Sequence, residues 1–184
     1  MDLRWSSADR IKPVLFFCQA VRGTPIGLLL EYHNLGRPAE KYTTAQLLVG
    51  MCMDHRNQLR LPDNFAYVLR AGGANLRGSE FIVSYAIAVG GVKHIALIGH
   101  TQCGMVNLTA RRERFVRGLV ENAGWEPESA EAHFLRFAPQ FEIGDEMDFA
   151  LSETKRLRQR YSGVQVAPLL YRVEDHLLYW IRED

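Results

Sequence analysis

Two short motifs decide how this chain folds: Cys52-Met53-Asp54-His55-Arg56 and His100-Thr101-Gln102-Cys103-Gly104. Each follows an apolar run that predicts a buried strand, residues 46–51 before the first motif and residues 94–99 before the second. Two thiolates and an imidazole from these strand ends, those of Cys52, Cys103 and His100, predict a three-ligand zinc site. Three protein ligands leave the fourth tetrahedral position open, which is typical of catalytic zinc. Soft thiolates favour zinc over hard cations such as magnesium.

The composition describes one ordinary globular domain. The chain has 184 residues, of which 47% are hydrophobic and 23% are charged. The formal net charge of +1 gives no basic excess for a nucleic-acid partner. No apolar run is long enough to span a membrane, and the first residues lack a signal-peptide pattern. Three cysteines cannot all pair within one chain, so we expect a reducing, cytoplasmic location.

We divide the domain into an N-terminal helical arm, residues 1–45, and a zinc-binding α/β core, residues 46–184. In the arm, Thr24 followed by Pro25 predicts a helix start, and the helix should end near Gly36. An apolar arm of this kind packs either on a partner subunit or back onto its own domain. Cys18 lies in the arm without a second ligand nearby, and we interpret it as a small buried hydrophobe.

The core alternates strands with helices, which favours an α/β fold with a mainly parallel sheet covered by helices on both faces. We expect Ser79 to cap a helix over residues 80–89, with a wide apolar face that includes Phe81, Ile82 and Tyr85. Asp145 should cap a later helix. The remaining predicted elements are strands at residues 65–70, 164–171 and 177–181, a helical region at 104–143 and the helix at 146–161.

The spacing of the ligands has a structural reason. Ligands of open α/β sheets bind beyond the carboxyl ends of the strands, where we place Cys52 and His100. We expect Cys103 on the first turn of the following helix. The positive end of that helix would then favour the thiolate that a metal needs.

Asp54 and Arg56 allow more than one interpretation. Asp54 could ligate zinc and close the site. Paired with Arg56, it would instead remain ionised and accept a hydrogen bond from a zinc-bound hydroxide. An exposed salt bridge without a function would contribute about 0–1 kcal/mol, but the position beside a predicted ligand argues against that reading.

Cys-x-Asp-x-Arg followed by His-x-x-Cys-Gly, with the glycine-rich turn at residues 71–75 between them, resembles the β-class carbonic anhydrase family. The resemblance covers about residues 26–182. It implies Zn²⁺ on Cys52, His100 and Cys103, and Asp54 and Arg56 as a catalytic dyad. It also implies a lyase that reversibly hydrates CO2 to bicarbonate through a zinc-bound hydroxide, with backbone N–H groups near Gly73 or Gly104 holding the oxyanion. The resemblance further implies a homodimer or a dimer-based oligomer.

Two departures from the family pattern leave alternatives open. His55 replaces the usual serine, and the connection from Arg56 to the glycine-rich turn is shortened. These changes are compatible with a hydrolase of CS2 or COS on the same zinc site, or with a catalytically silent zinc-binding homologue. His55 could shuttle protons, or it could simply pack under the dyad or face solvent. We expect His33, His94, His133 and His176 to be structural or on the surface.

Overall fold

The computed structural model describes residues 11–13 and 21–183. Its elements in chain order are β1 (Ile11–Pro13), α1 (Pro25–Leu35), β2 (Leu47–Cys52), β3 (Ala66–Ala71), α2 (Glu80–Ala88), β4 (His94–His100), α3 (Arg112–Ala123), α4 (Pro127–Phe141), α5 (Glu146–Arg160), β5 (Gln165–Arg172) and β6 (Leu177–Ile181). Every predicted strand is present, and strand β1 is an addition that the sequence did not predict. The interpretation of Cys18 lies outside the described residues.

The strands form one sheet in the order β1-β6-β5-β4-β2-β3. Strands β3, β2, β4 and β5 run parallel to one another. Strand β6 pairs antiparallel with β5, and β1 pairs antiparallel with β6. This order confirms the prediction of a mainly parallel α/β sheet. Strands β2 and β4 are neighbours at the centre of the parallel part of the sheet. The strand that follows β2 in the chain, β3, lies on the outer side of β2, and the strand that follows β4, β5, lies on the opposite side, beside β4. The carboxyl ends of β2 and β4 therefore flank a switch point in strand order, where α/β sheets bind their ligands.

Helices cover both faces of the sheet. On one face α1 contributes Leu29, Leu30 and Tyr32 to a buried cluster with alternate residues of β2 and β4. On the other face, α2 and α5 pack against the remaining residues of these strands. Strand β2 is buried along its whole length because it is covered on both sides. Within residues 21–183, no helix is both long and apolar enough to cross a membrane.

Two of the three predicted helix caps are confirmed. The Thr24 hydroxyl accepts a hydrogen bond from the Gly27 N–H, and Gly36 ends α1 in the left-handed conformation. The Asp145 carboxylate accepts the first free N–H groups of α5. The predicted cap at Ser79 is wrong, because its side chain makes no capping hydrogen bond. A 3-10 turn precedes α2 and already orders its start.

The wide apolar face predicted for α2 points largely outward. Only Val83 and Ala86 are buried. Phe81 is 81% exposed, and three other apolar residues beside it are also exposed: Ile82, Tyr85 and Val89. The spacing of these four residues, which we call the α2 stripe, places them along one side of the helix. The chain contains more apolar helix surface than its own core uses.

Candidate metal centre

The structure brings Cys52, His100 and Cys103 together at the switch point. All three residues are buried, and their ligand atoms lie within 4.8 Å of one another. Cys52 ends β2 and His100 ends β4, as predicted. The donors are close enough for one metal ion to contact all three after small adjustments. Two sulfurs and one imidazole nitrogen suit zinc by their chemistry.

The loop after β2 is fixed by side chains from neighbouring elements. The Gly73 N–H donates to Cys52 Sγ at 3.3 Å, and Gly73 adopts a positive φ of 62° that presents this N–H to the sulfur. Arg70 donates to the carbonyl oxygens of Cys52 and Asn57, at 3.1 and 2.7 Å. The Gly73 N–H is already bonded to this sulfur. Of the two N–H groups predicted to hold the oxyanion, Gly104 is therefore the remaining candidate.

Cys103 lies in a turn, so the prediction that it begins a helix is wrong. The residues from Thr101 to Asn107 form turns, and the next helical segment starts only at Leu108. The backbone N–H of Cys103 donates to a carboxylate oxygen of Glu146, the first residue of α5, at 3.0 Å. The His-x-x-Cys spacing is therefore closed by a turn in which Gln102 has a positive φ of 59°. No helix begins at Cys103 to favour its thiolate in the way predicted.

His100 has the hydrogen-bonding pattern of a metal ligand. Its Nδ1 lies 2.9 Å from the carbonyl oxygen of Thr101, which can only accept, so Nδ1 carries the proton. Nε2 is buried and has no hydrogen-bond partner among the described residues. A buried nitrogen with a free lone pair, next to two thiols, fits a metal. Histidine ligands commonly donate their other N–H to a carbonyl in this way.

The pKa values of the two thiols shift in opposite directions. A hydrogen bond from the Cys103 thiol lowers the pKa of Cys52, and burial opposes that effect without cancelling it. The same bond raises the pKa of Cys103. Burial lowers the pKa of His100, but the hydrogen bond and charge of Cys52, the Thr101 carbonyl and the charge of Asp54 together outweigh burial, and the net shift is upward. The cluster thus accumulates negative charge at Cys52 and attracts a proton or a cation.

Asp54 and Arg56 form an ion pair beside the cluster. Arg56 Nη2 donates to Asp54 Oδ2 at 2.8 Å and Nε donates to Oδ1 at 3.0 Å, while the Arg56 backbone N–H also donates to Oδ1 at 2.9 Å. Arg56 holds the pKa of the Asp54 carboxyl well below its usual range. Asp54 is an ionised acceptor turned toward Arg56, and it is not among the three residues of the metal-binding group.

Two further residues complete this arrangement, and the sequence did not single them out. Gln102 accepts hydrogen bonds from Arg56 through its side-chain oxygen at 3.2 Å and its backbone carbonyl at 3.1 Å. Glu174, in the turn between β5 and β6, accepts from Gln102 Nε2 at 2.9 Å. Gln102 stands inside a recognised motif, but Glu174 is remote in sequence and no local pattern marks it.

The other histidines are distributed as follows. The His55 side chain is 94% exposed, with Nδ1 4.0 Å from Asp54, so it faces solvent beside the dyad and does not pack under it. His33 is buried and bonds to backbone atoms of Arg60 and His176. The His133 ring packs among the aromatic rings of α3 and α4. These positions agree with the structural or surface roles predicted for His33 and His133.

An apolar cavity of about 270 Å³ lies next to the cluster. Its wall includes Met53, which follows Cys52, and Met105, which lies two residues beyond Cys103. Gly72, Leu108, Phe115 of α3 and residues of α4 such as Phe137 and Phe141 also line it. The cavity can hold a small apolar molecule near the metal-binding group.

Residues 64–156, about half of the chain, match the family model described as carbonic anhydrase. The chain belongs to the carbonic anhydrase family. Its fold and the Cys–His–Cys group assign it to the β class of that family, whose members are lyases, as the sequence resemblance predicted. The matched range contains His100 and Cys103, whereas Cys52, Asp54 and Arg56 precede it.

Solved structures of the same fold extend over most of the chain. The β-carbonic anhydrase isoform I of Trichomonas vaginalis superimposes with a TM-score of 0.61 at 19% identity, covering 90% of this chain and 99% of that chain. The carbonic anhydrase of Streptococcus mutans gives 0.59 at 15%, with 90% and 100% covered. An apo carbon disulfide hydrolase gives 0.55 at 21%, with 84% and 85% covered. A search of curated protein sequences found no match.

Proposed function

We propose that this protein reversibly hydrates CO2 to bicarbonate, with Zn²⁺ held by Cys52, His100 and Cys103. The observation that carries the proposal is the buried group of two sulfurs and an unpartnered imidazole nitrogen, with an ionised carboxylate beside it. Membership of the carbonic anhydrase family supports the reaction. Bound zinc would act as a Lewis acid that lowers the pKa of a water to about 7, which supplies the nucleophile at neutral pH.

The chain's own residues then have separate tasks. The Gly73 N–H and the Glu146 carboxylate hold the two cysteines in place. Asp54 accepts a hydrogen bond from the attacking oxygen and so orients its lone pair toward the substrate carbon. Arg56 keeps Asp54 ionised through three hydrogen bonds. The Gly104 N–H is our candidate donor to the oxygen that gains charge in the transition state.

The test is stopped-flow CO2 hydration by protein of known zinc content, from about pH 6.5 to 9. We expect the rate to rise with pH through one ionisation, because the nucleophile forms by loss of a proton. Protein with one zinc per chain and no hydration above the buffer rate would reject the proposal.

The apolar cavity beside the cluster favours a second candidate, hydrolysis of CS2 or COS. The wall near Met53 and Met105 offers carbon and sulfur contacts to a linear apolar molecule, which CO2, COS and CS2 all are. Relative rates with the three substrates separate the two candidates. A silent zinc-binding homologue would turn over none of them, and Asp54→Ala would then change no measured rate.

We further propose that the protein is a homodimer in which the α2 stripe is covered. Four exposed apolar residues on one side of a helix form a surface that soluble monomers rarely leave open. A second copy of the chain is the partner that the family resemblance implies. The cytoplasmic location and the absence of nucleic-acid and membrane partners remain predictions from sequence.

A further inference from the structure

The position of the Arg56 guanidinium is set by more than Asp54. Arg56 Nη1 donates to Gln102 Oε1 at 3.2 Å, and Nη2 donates to the Gln102 carbonyl at 3.1 Å. One edge of the guanidinium, Nε and Nη2, therefore binds Asp54. The adjoining edge, Nη1 and Nη2, binds Gln102, which lies between two predicted metal ligands. Moving Gln102 would move Arg56.

Gln102 is itself held by the turn between β5 and β6. Its Nε2 donates to Glu174 Oε1 at 2.9 Å, which aims its Oε1 at Arg56. Because an amide has its donor and its acceptor on the same carbon, fixing one end fixes the other. A glutamine without this bond could turn by half a revolution and present an N–H to Arg56, which would repel it.

Glu174 is fixed in turn by Thr101. Thr101 Oγ1 donates to Glu174 Oε2 at 2.8 Å and accepts the Val173 N–H at 3.0 Å. The two carboxylate oxygens of Glu174 thus bind two consecutive residues of the segment between His100 and Cys103. In addition, the Tyr171 hydroxyl, on β5, donates to the backbone carbonyl of Arg56 at 3.1 Å. Strand β5 and the following turn brace both the backbone and the side chain of Arg56.

We propose that Glu174 is a positioning residue for the Asp54–Arg56 pair, acting through Gln102. It keeps Arg56 within reach of Asp54, so that the carboxylate stays turned toward Arg56 and away from the metal-binding group. This inference rests on the proposed function, since it assigns Glu174 a role in the geometry of that site. Without Glu174, Arg56 loses the oriented acceptor at Gln102 Oε1 and keeps only the Gln102 backbone carbonyl on that side, so Asp54 is held less firmly away from the metal.

The experiment compares wild type, Glu174→Ala and the exchange variant Gln102→Glu/Glu174→Gln, each loaded with zinc and, separately, with cobalt(II). The exchange variant keeps the 102–174 hydrogen bond in reverse and still offers Arg56 an acceptor. We expect Glu174→Ala to keep one metal per chain and to lose about tenfold in kcat, with a smaller change in KM. We expect the exchange variant to recover most of that loss.

The cobalt spectrum gives a readout that does not depend on turnover. When Asp54 stays off the metal, the fourth ligand is a water, and its ionisation makes the visible spectrum change with pH. We expect that change to be weakened in Glu174→Ala and restored in the exchange variant. Should wild type fail to hydrate CO2, the spectra still test the position of Asp54, so failure of the inference and failure of the function remain distinguishable.

Asp175→Asn is the matched control, because Asp175 lies in the same turn and its side chain, among the described residues, bonds to β6 and to Arg172 and not to Gln102. It removes the same charge without touching Gln102, and we expect wild-type kcat and spectra. Equal losses in Asp175→Asn and Glu174→Ala would indicate general loosening of the turn and overturn the proposal. A Glu174→Ala variant with unchanged kcat and spectrum, or an exchange variant without recovery, would also overturn it.

Discussion

The loop of residues 53–56 and the α2 stripe are both at least partly open to solvent in the single chain, for opposite physical reasons. In the loop, the charged groups at Asp54 and Arg56 are paired with each other and with Gln102. Arg70 ties down the carbonyls on either side. In the α2 stripe, the large side chains of Phe81 and Tyr85 remain 81% and 54% exposed.

The comparison teaches how exposure should be interpreted. A site needs access, so its polar groups stay near the surface and gain rigidity from directional hydrogen bonds. An apolar stripe gains nothing from exposure, and each Å² covered would contribute roughly 25 cal/mol. The charged groups of the loop already have partners within the chain. The apolar residues of the α2 stripe can be covered only by another surface. The two regions should therefore respond independently to mutation.

The largest effect is expected from Cys103→Ala. Removing one of three ligands should abolish metal binding and reduce CO2 hydration to the buffer rate, a loss of at least about 10³-fold, since the nucleophile depends on the metal. Zinc per chain, measured by atomic absorption after dialysis, and stopped-flow rates check this. The oligomeric state should not change, because Cys103 is buried in the site.

Cys18→Ala is the control for this substitution, as the same change at the remaining cysteine. It should keep full metal and full rate. If Cys103→Ala retained one tightly bound zinc per chain, the ligand assignment would be wrong.

A smaller effect is expected from Arg56→Ala. The metal should stay, because Arg56 contributes no ligand, but the rate should fall about 10²-fold as Asp54 loses its orientation. The pKa of Asp54 should rise only toward its ordinary value of 3.8, so Asp54 stays ionised over the assayed range and the shape of the pH–rate profile should not change. Metal content and the pH–rate profile are the measurements.

Arg60→Ala provides the comparison within the same segment. Arg60 bonds to His33 through its backbone N–H, so removal of its side chain should leave both metal and rate unchanged. Loss of zinc from Arg56→Ala would mean that the arginine holds the cluster together, and that the dyad is not a separate unit.

The sequence predicted the sheet and the cluster well because both depend on local signals. Buried strands are continuous apolar runs, and Cys52 and His100 stand directly at their ends. It predicted the link to Cys103 wrongly, because a turn with Gln102 at positive φ spans three residues as easily as a helix does. Periodicity alone cannot separate the two over so short a distance.

The remaining differences depend on contacts between distant parts of the chain. Glu174 meets Gln102 only because β5 lies beside β4, which no local pattern encodes. The stripe that includes Phe81 has the same periodicity as a core helix, and hydrophobic spacing does not tell a core from an interface. Side-chain chemistry identified the ligands, but the sheet order decides which other residues reach them.

The α2 stripe should control assembly without affecting metal binding. We expect wild type to sediment as a dimer at micromolar concentration, and Tyr85→Glu to sediment as a monomer, because a charge would be buried in the apolar contact. Sedimentation velocity over a range of concentrations checks this, with zinc content measured on the same samples.

Leu135→Glu is the matched control, since Leu135 is similarly exposed, at 54%, but lies on α4. It should leave the dimer intact. A monomeric wild type would reject the dimer, and a Tyr85→Glu protein that remains a dimer would place the contact elsewhere.

The smallest effect concerns the pH dependence of stability through His33. The Arg60 N–H donates to His33 Nδ1 at 3.1 Å, so the proton sits on Nε2, which donates to the His176 carbonyl at 3.0 Å. Burial lowers the pKa of His33 from 6.5. A second proton on Nδ1 would face the Arg60 N–H, so the folded protein resists protonation at this ring.

The sign of the effect follows from that resistance. As the pH falls below 6.5, the unfolded chain binds the proton before the folded chain does, so the contribution of His33 to stability is complete above pH 6.5 and decreases below it. His33→Gln should lower the free energy of unfolding by about 1–3 kcal/mol at pH 7.5, and by less at pH 5.5. Urea titrations of both proteins at each pH measure the difference, and comparison at equal pH cancels metal loss, which affects both alike. A difference that stays constant would mean that folding leaves the pKa of His33 unchanged, and one that grows toward low pH would mean that folding raises it; either result would contradict the prediction.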